Sequence, residues 1–382
     1  MDSKFDDIAP LYDYEVEESI KEMLADPGFQ HAVKYIIPDL NWEEFSAEML
    51  KYKTKEQFQA EMIYPVVSLL GARLTTSIKG DKWENIDTSV EHLFLSNHRD
   101  IVLDAGLFNI LRHTQGLRTT EIAIGDNLLI HPWIDKLVRM NKSFIVRRGL
   151  SIKERLISSK HLSEYIHYAI NTKKESVWVA QREGRAKNSD DKTQDSLLKM
   201  LALYPDDKPF LASLRELNLI PLSISYEYDP TDYLKAKEFQ QKRDDPEFKK
   251  TQRDDLLNME IGILGHKGNV VFRFGKCINP ELDKITTPDK RLQPELAAKI
   301  IDQQIHSNYE IYPCNYIAHD LLHNESRFAK KYTQEQAENF KEYLNKQIVK
   351  IDLDYIDHDF VWEKMLEMYS NTLKNHLLAI GQ

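Results

Sequence analysis

The sequence predicts an α/β protein: a mostly parallel or mixed central sheet flanked by helices, with a helical segment before it and a helical extension after it. Three observations carry this. Short apolar runs rich in branched and aromatic residues alternate with helix-patterned stretches, which is the signature of a sheet built by crossover connections. The alternation begins only after about residue 82. Beyond about residue 292 the chain again reads as helix alone.

Taken in order, "YEVEESIKEMLADPGF" has apolar residues at helical spacing and stops at Pro27-Gly28. "WEEFSAEMLKYKTKEQFQAEMIYPVVSLLGARL" continues in the same style, and "IKGDKWENID" reads as a polar break with Gly80 at the boundary. Six strands follow: "EHLFLSN", "TTEIAIGD", "KSFIVRR", "ESVWVAQREG", "LIPLSISYEY" and "GNVVFRFGK". Helices are expected between them, in "IVLDAGLFNILRHT", "HPWIDKLVRM", "SIKERLISSKHLSEYIHYAINTKK" and "SLLKMLALYPDDKPFLASLRELN". "YLKAKEFQQKRDDPEFKKTQRDDLLNM" reads as a charged helical insertion before the last strand. The expected organisation is residues 1–82, an N-terminal helical segment; 83–292, the α/β domain; and 293–382, a helical C-terminal extension.

Composition narrows the function classes. The chain has 382 residues, 42% hydrophobic and 29% charged, which is enough to bury a sizeable core. Its two cysteines, Cys277 and Cys314, have no metal-ligand spacing, so neither a zinc ribbon nor a disulfide scaffold is expected, and the usage suits the cytoplasm. The acidic N-terminus has no apolar segment of a secretory signal. The longest run without Asp, Glu, Lys or Arg, Met62–Ala72, is about 16 Å as a helix, too short to cross a bilayer. A net charge of −10 opposes nucleic-acid binding. Within it, Lys136 to Lys160 holds eight basic residues against Glu154 alone, a patch suited to a compact anion.

The polar clusters "SNHRD", "RRG" and "QREGR" each follow a strand, where ligands gather in such sheets. His98-Arg99-Asp100 spells the catalytic-loop triplet of protein kinases. No GxGxxG precedes it, Ala105 stands where the loop asparagine belongs, and no DFG follows, so the kinase reading fails. Acyl transfer from a thioester to an alcohol asks for less: a base on the hydroxyl and donors for the oxyanion. His98 is the natural base, with Asp100 or Asp104 to orient it. Asp100 has a structural use as the cap of the following helix, which favours Asp104. Arg147 and Arg148, read as ending a strand beside the catalytic one, could clamp a phosphate. Asp126 and Asn127 suit a cap as well as a site, and His92, His113 and His131 suit ordinary packing.

Four blocks in order give the chain a family likeness. "SNHRDIVLD" is similar to an Asn-His-x4-Asp block after a strand. "IGDNLLIHPW" with "SFIVRRG" resembles a Gly-Asp-Asn-Leu segment followed by Phe-Ile-x-Arg. "VAQREGRAKNSD" resembles Glu-Gly-x-Arg, and "LIPLSISY" a proline-bearing apolar strand. Together they cover Phe94 to Tyr226, about a third of the chain, and resemble the glycerolipid acyltransferases, the glycerol-3-phosphate and 1-acylglycerol-3-phosphate enzymes. Two spacings depart from the family: Leu103 stands at the aspartate position with Asp104 one residue later, and Arg185 arrives one residue early. A one-residue slip rotates a helical side chain by about 100°, so the turn after His98 must differ locally.

The resemblance implies phospholipid synthesis with His98 as general base and Asp104 as its partner. It places Glu183 and Gly184 at the acceptor pocket, with Arg182, Arg185 and Lys187 as cationic donors beside Arg147 and Arg148. It implies no metal and no cofactor, with acyl-CoA or acyl carrier protein as co-substrate, and glycerol 3-phosphate or lysophosphatidic acid as acceptor. A different lysolipid or amino-lipid acceptor, or a non-catalytic lipid-binding relative, remain alternatives. A lipid product implies peripheral contact with the inner face of the membrane.

Overall fold

The computed structural model describes residues 3–382. Its centre is a seven-stranded sheet of β1 (Ser77–Asp81), β2 (Leu93–Ser96), β3 (Glu121–Gly125), β4 (Ser143–Val146), β5 (Val177–Ala180), β6 (Ile220–Tyr226) and β7 (Asn269–Phe274). The spatial order is β1-β7-β6-β2-β5-β3-β4. Strands β6, β2, β5, β3 and β4 run parallel; β7 is antiparallel to β6, and β1 is parallel to β7. The result is a mostly parallel mixed sheet with helices before and after it.

Strand β2 lies at the middle of the order, and all four of its residues are buried. Side chains alternate across a strand, so its continuous apolar run serves two cores at once. Leu93 and Leu95 pack with Phe144, Tyr165 and Ile301 on one face. Phe94 packs with Phe108, Trp178, Phe272 and Phe274 on the other.

The polar break expected at "IKGDKWENID" is where the structure differs. Ser77–Asp81 is strand β1, held to β7 by backbone pairing from Ser77↔Asn269 to Asp81↔Arg273. An edge strand with only partly buried side chains has no apolar pattern to announce it. Gly80 is not a break but a seat for Trp83: a Cβ there would stand 2.4 Å from the indole. Asp81 also pairs with Arg273 at 2.8 Å. Pro27-Gly28 ends helix Asp13–Ala25 and at once starts helix Pro27–Ile36, with Asp26 accepting from the Gly28 amide at 2.7 Å.

The insertion between β6 and β7 forms two helices, Asp232–Asp244 and Gln252–Leu264. The first docks on the C-terminal helices through Asp232, which is fully buried. Its carboxylate accepts from Tyr343 at 2.9 Å, Tyr369 at 2.8 Å and Gln347 at 2.7 Å. Burial, then the charge of Asp229, pushes the Asp232 carboxyl up to about 7, against the pull of those three hydrogen bonds.

A raised carboxyl contributes stability that is full below its ordinary pKa and is lost as pH rises to about 7. Asp232→Asn should therefore gain stability relative to the native chain, by a few kcal/mol in all, as pH climbs from about 4 to about 7. Urea unfolding of both proteins across that range checks this, and a constant difference would contradict it.

Candidate active site

The parallel strands all end at one edge of the sheet, and the polar clusters after β2, β5, β3 and β4 meet there. Asn97, directly after β2, continues the ladder with its side chain. Its amide donates to the Ile224 carbonyl at 2.8 Å and its oxygen accepts from the Ile224 amide at 2.8 Å. Both groups of a buried primary amide are thereby matched, and the chain entering the next turn is fixed against β6.

In that turn His98 Nδ1 lies 2.8 Å from Asp104 Oδ2. The same oxygen accepts from the Arg99 amide at 2.6 Å and the Asp100 amide at 3.1 Å. Helix Leu103–Thr114 starts late, after an irregular turn, and this lets a carboxylate six positions on reach the histidine. Asp100 caps the turn instead: its Oδ1 accepts from the Val102 amide at 2.9 Å and the Leu103 amide at 2.8 Å. Asp104 Oδ2 already accepts from two backbone amides, so the contact assigns a donated proton to His98 Nδ1. Nε2 has no hydrogen-bond partner among the described residues. The ring stands edge-on to Trp178 at 5.9 Å. Asp104 is fully buried, and behind it Tyr226 buries its hydroxyl. Burial, then the charges of Asp104 and Asp100, push that phenol far above its usual range.

Three residues that position the turn have no role in the sequence reading. Asn97 is one. Arg99 is another: it is buried, reaches Asp191 at 2.8 Å, and lies over the Tyr309 ring at 5.6 Å. Tyr309 also donates to Asp191 at 2.8 Å, so the His98 turn is fastened to the loop after β5 and to the C-terminal helices. The third, Lys267, is fully buried and donates to the carbonyls of Gly262 at 2.6 Å and Gly265 at 2.7 Å. It holds the end of helix Gln252–Leu264 against the turn, where a Cβ on Gly262 would lie 2.6 Å from Asp100 Oδ2. An arginine enclosed in "SNHRD" was the one available signal, obscured by the kinase triplet. Lys267 was not legible at all.

The predicted cations divide. Arg182 follows β5 as His98 follows β2, each two residues beyond the paired Ala180 and Ser96 of these neighbouring strands. Its guanidinium has no ion-pair or hydrogen-bond partner among the described residues, and its Nε is buried. Arg185 donates to Thr231 Oγ1 at 3.0 Å and Asn258 Oδ1 at 2.9 Å, both neutral. Asn258 and Gly262 are one turn apart on one helix, so Arg185 lies about 6 Å along that helix from the Asp100 contact. Lys187 pairs with Glu238. Gly184 has φ +68°, a conformation that side chains disfavour, at the exposed tip of the loop.

Arg147 and Arg148 do not stand beside the catalytic strand as expected. β4 is the sheet's edge, and β3 and β5 separate it from β2; strand order is set by crossovers that local sequence does not encode. Arg147 points to Asp7 at 2.9 Å, about half exposed. Arg148 pairs with Glu183 at 2.5 Å, and its backbone amide donates to Asp126 at 3.1 Å. Glu183 is thus brought to Arg148, not to His98. A separate open cleft of about 820 Å³, lined in part by Lys82, Gly275 and Lys284, lies at the opposite edge of the sheet.

The site is therefore a histidine–carboxylate pair on an α/β scaffold, with cations close by. The chain aligns with the crystal structure of the 1-acyl-sn-glycerophosphate (LPA) acyltransferase PlsC from Thermotoga maritima. The alignment covers 73% of this chain and 95% of that one, at 12% identity and a TM-score of 0.35. No protein-family model and no curated protein matches the sequence.

Asp104→Ala would leave three donors without their acceptor. The expected loss is on the order of 2–4 kcal/mol of stability, measurable by urea unfolding. The imidazole proton should also move off Nδ1, read by ¹⁵N NMR of the His98 ring. An unchanged tautomer would contradict the assigned role of Asp104.

Proposed function

We propose that this chain transfers an acyl group from a thioester, acyl-CoA or acyl carrier protein, to a hydroxyl of a glycerol-phosphate acceptor, glycerol 3-phosphate or 1-acylglycerol 3-phosphate. The observation that carries the reading is the His98–Asp104 pair at 2.8 Å, with Nε2 without a hydrogen-bond partner among the described residues and an unpaired Arg182 after the neighbouring strand β5. His98 Nε2 takes the proton of the acceptor hydroxyl as its oxygen attacks the thioester carbonyl. Asp104 holds the Nδ1 proton and steadies the imidazolium. Collapse of the tetrahedral intermediate forms the ester and expels the thiolate, which takes the proton back from Nε2. The thioester is already activated, so no acyl-enzyme is needed, and the raised thiol pKa values of Cys277 and Cys314 agree with that.

In this reading the acceptor phosphate is held by Arg182 and Arg185, with Gly184 allowing close backbone approach and Lys187 behind. Arg147 and Arg148 steer anions at the rim, with Glu183 holding Arg148. A second reading, a different lysolipid or amino-lipid acceptor, is favoured by the engagement of Arg147 and Arg148 with Asp7 and Glu183. No helix among the described residues is long and apolar enough to cross a membrane. Peripheral membrane contact is supported by Ile152, Leu156 and Ile157, which are 89%, 64% and 63% exposed beside the basic Lys153 and Arg155.

His98→Ala should reduce acyl transfer by about 10²–10⁴-fold while the thermal unfolding transition stays in place. The assay is a labelled acyl donor against a panel of glycerol 3-phosphate, 1-acylglycerol 3-phosphate and amino-lipid acceptors. Full transfer by the variant would refute the mechanism, and the preferred acceptor separates the two readings.

A further inference from the structure

The charged insertion contributes to the site. Lys242 on helix Asp232–Asp244 lies 2.8 Å from Glu238, and Lys250, just before helix Gln252–Leu264, lies 3.9 Å from the same carboxylate. Lys187, from the loop after β5, pairs with the same Glu238 oxygen as Lys242. Lys250 also meets Asp255 at 2.7 Å. Arg185 stands next to Lys187 and has only neutral oxygens for partners. Three lysines therefore share Glu238, whose side chain is only 7% exposed, while Asp254 also faces Lys250 and Asp229 faces Arg185. Burial and the crowding of Lys242 and Lys250 push the Lys187 ammonium down to about 7. Three lysines converging on one carboxylate from two separate segments are an arrangement suited to a phosphate.

We propose that Lys242 and Lys250 form a binding site for the phosphate-bearing end of the acyl donor, the phosphopantetheine portion of coenzyme A or of an acylated carrier. The inference rests on the acyl-transfer reading for its choice of ligand. Distance decides between donor and acceptor. Helix Gln252–Leu264 runs from the cluster to the His98 turn, and from Lys250 to Gly262 is about 18 Å along it. A three-carbon acceptor cannot place its hydroxyl on His98 and its phosphate at the far end of that helix. A pantetheine arm, with its thioester at one end and its phosphate at the other, matches the span.

The test is calorimetric titration of the full chain, without turnover, using coenzyme A, glycerol 3-phosphate and phosphate-free pantetheine as probes. Lys242→Ala/Lys250→Ala should weaken coenzyme A by about tenfold or more and leave glycerol 3-phosphate and pantetheine unchanged. Lys242→Arg/Lys250→Arg should recover most of the loss, which separates charge from folding. If only glycerol 3-phosphate is weakened, the phosphate held there is the acceptor's and the donor assignment is overturned. If neither probe is weakened, or the native chain does not bind coenzyme A, the anion site is overturned. Weakened coenzyme A binding in a chain that acylates no acceptor would keep the anion site and remove the acyl-transfer reading. Unaltered coenzyme A binding with His98→Ala inactive would do the reverse.

Discussion

One carboxylate oxygen organises the site. Asp104 Oδ2 gathers the His98 ring proton and the backbone amides of Arg99 and Asp100. A buried carboxylate is costly unless its acceptors are used, and here three donors converge on one oxygen. Those bonds set the shape of the turn, the tautomer of the histidine and the direction in which Nε2 is left open. The turn is bound on three sides, by Asn97 to β6, by Arg99 to Asp191 and Tyr309, and by Gly262 closing on Asp100. Each fastening comes from a different part of the chain, so the histidine's position is a tertiary property of the fold.

That arrangement explains what could be read from the sequence. Strands β2 to β7 were legible because apolar runs between helical stretches reflect burial on both faces. β1 was not, because an edge strand whose pairing is carried by the backbone has no side-chain pattern to recognise. Asp100 as cap and Asp104 as the histidine's neighbour were legible from competing local uses of the two carboxylates. The spacing of the resembled block pointed one residue short of Asp104; the irregular turn before helix Leu103–Thr114 takes up the extra residue, and Asp104 reaches His98 at 2.8 Å. Arg147 and Arg148 were misplaced because sequence gives strand identity without strand order. Asn97, Arg99 and Lys267 were missed as positioning residues for a common reason: each acts through a contact 92 to 210 positions away or through carbonyls that no side-chain pattern marks.

The insertion also has a topological aspect. β6 and β7 are adjacent and antiparallel, and such neighbours can be joined by a turn of two residues. Here residues 227–268 intervene, so the sheet itself does not require them. A segment free of that duty can change length and charge with little effect on the strands it connects. Its far half, around Lys242 and Lys250, is free to change in this way, whereas Gly262 and Lys267 keep the end of helix Gln252–Leu264 on the histidine turn.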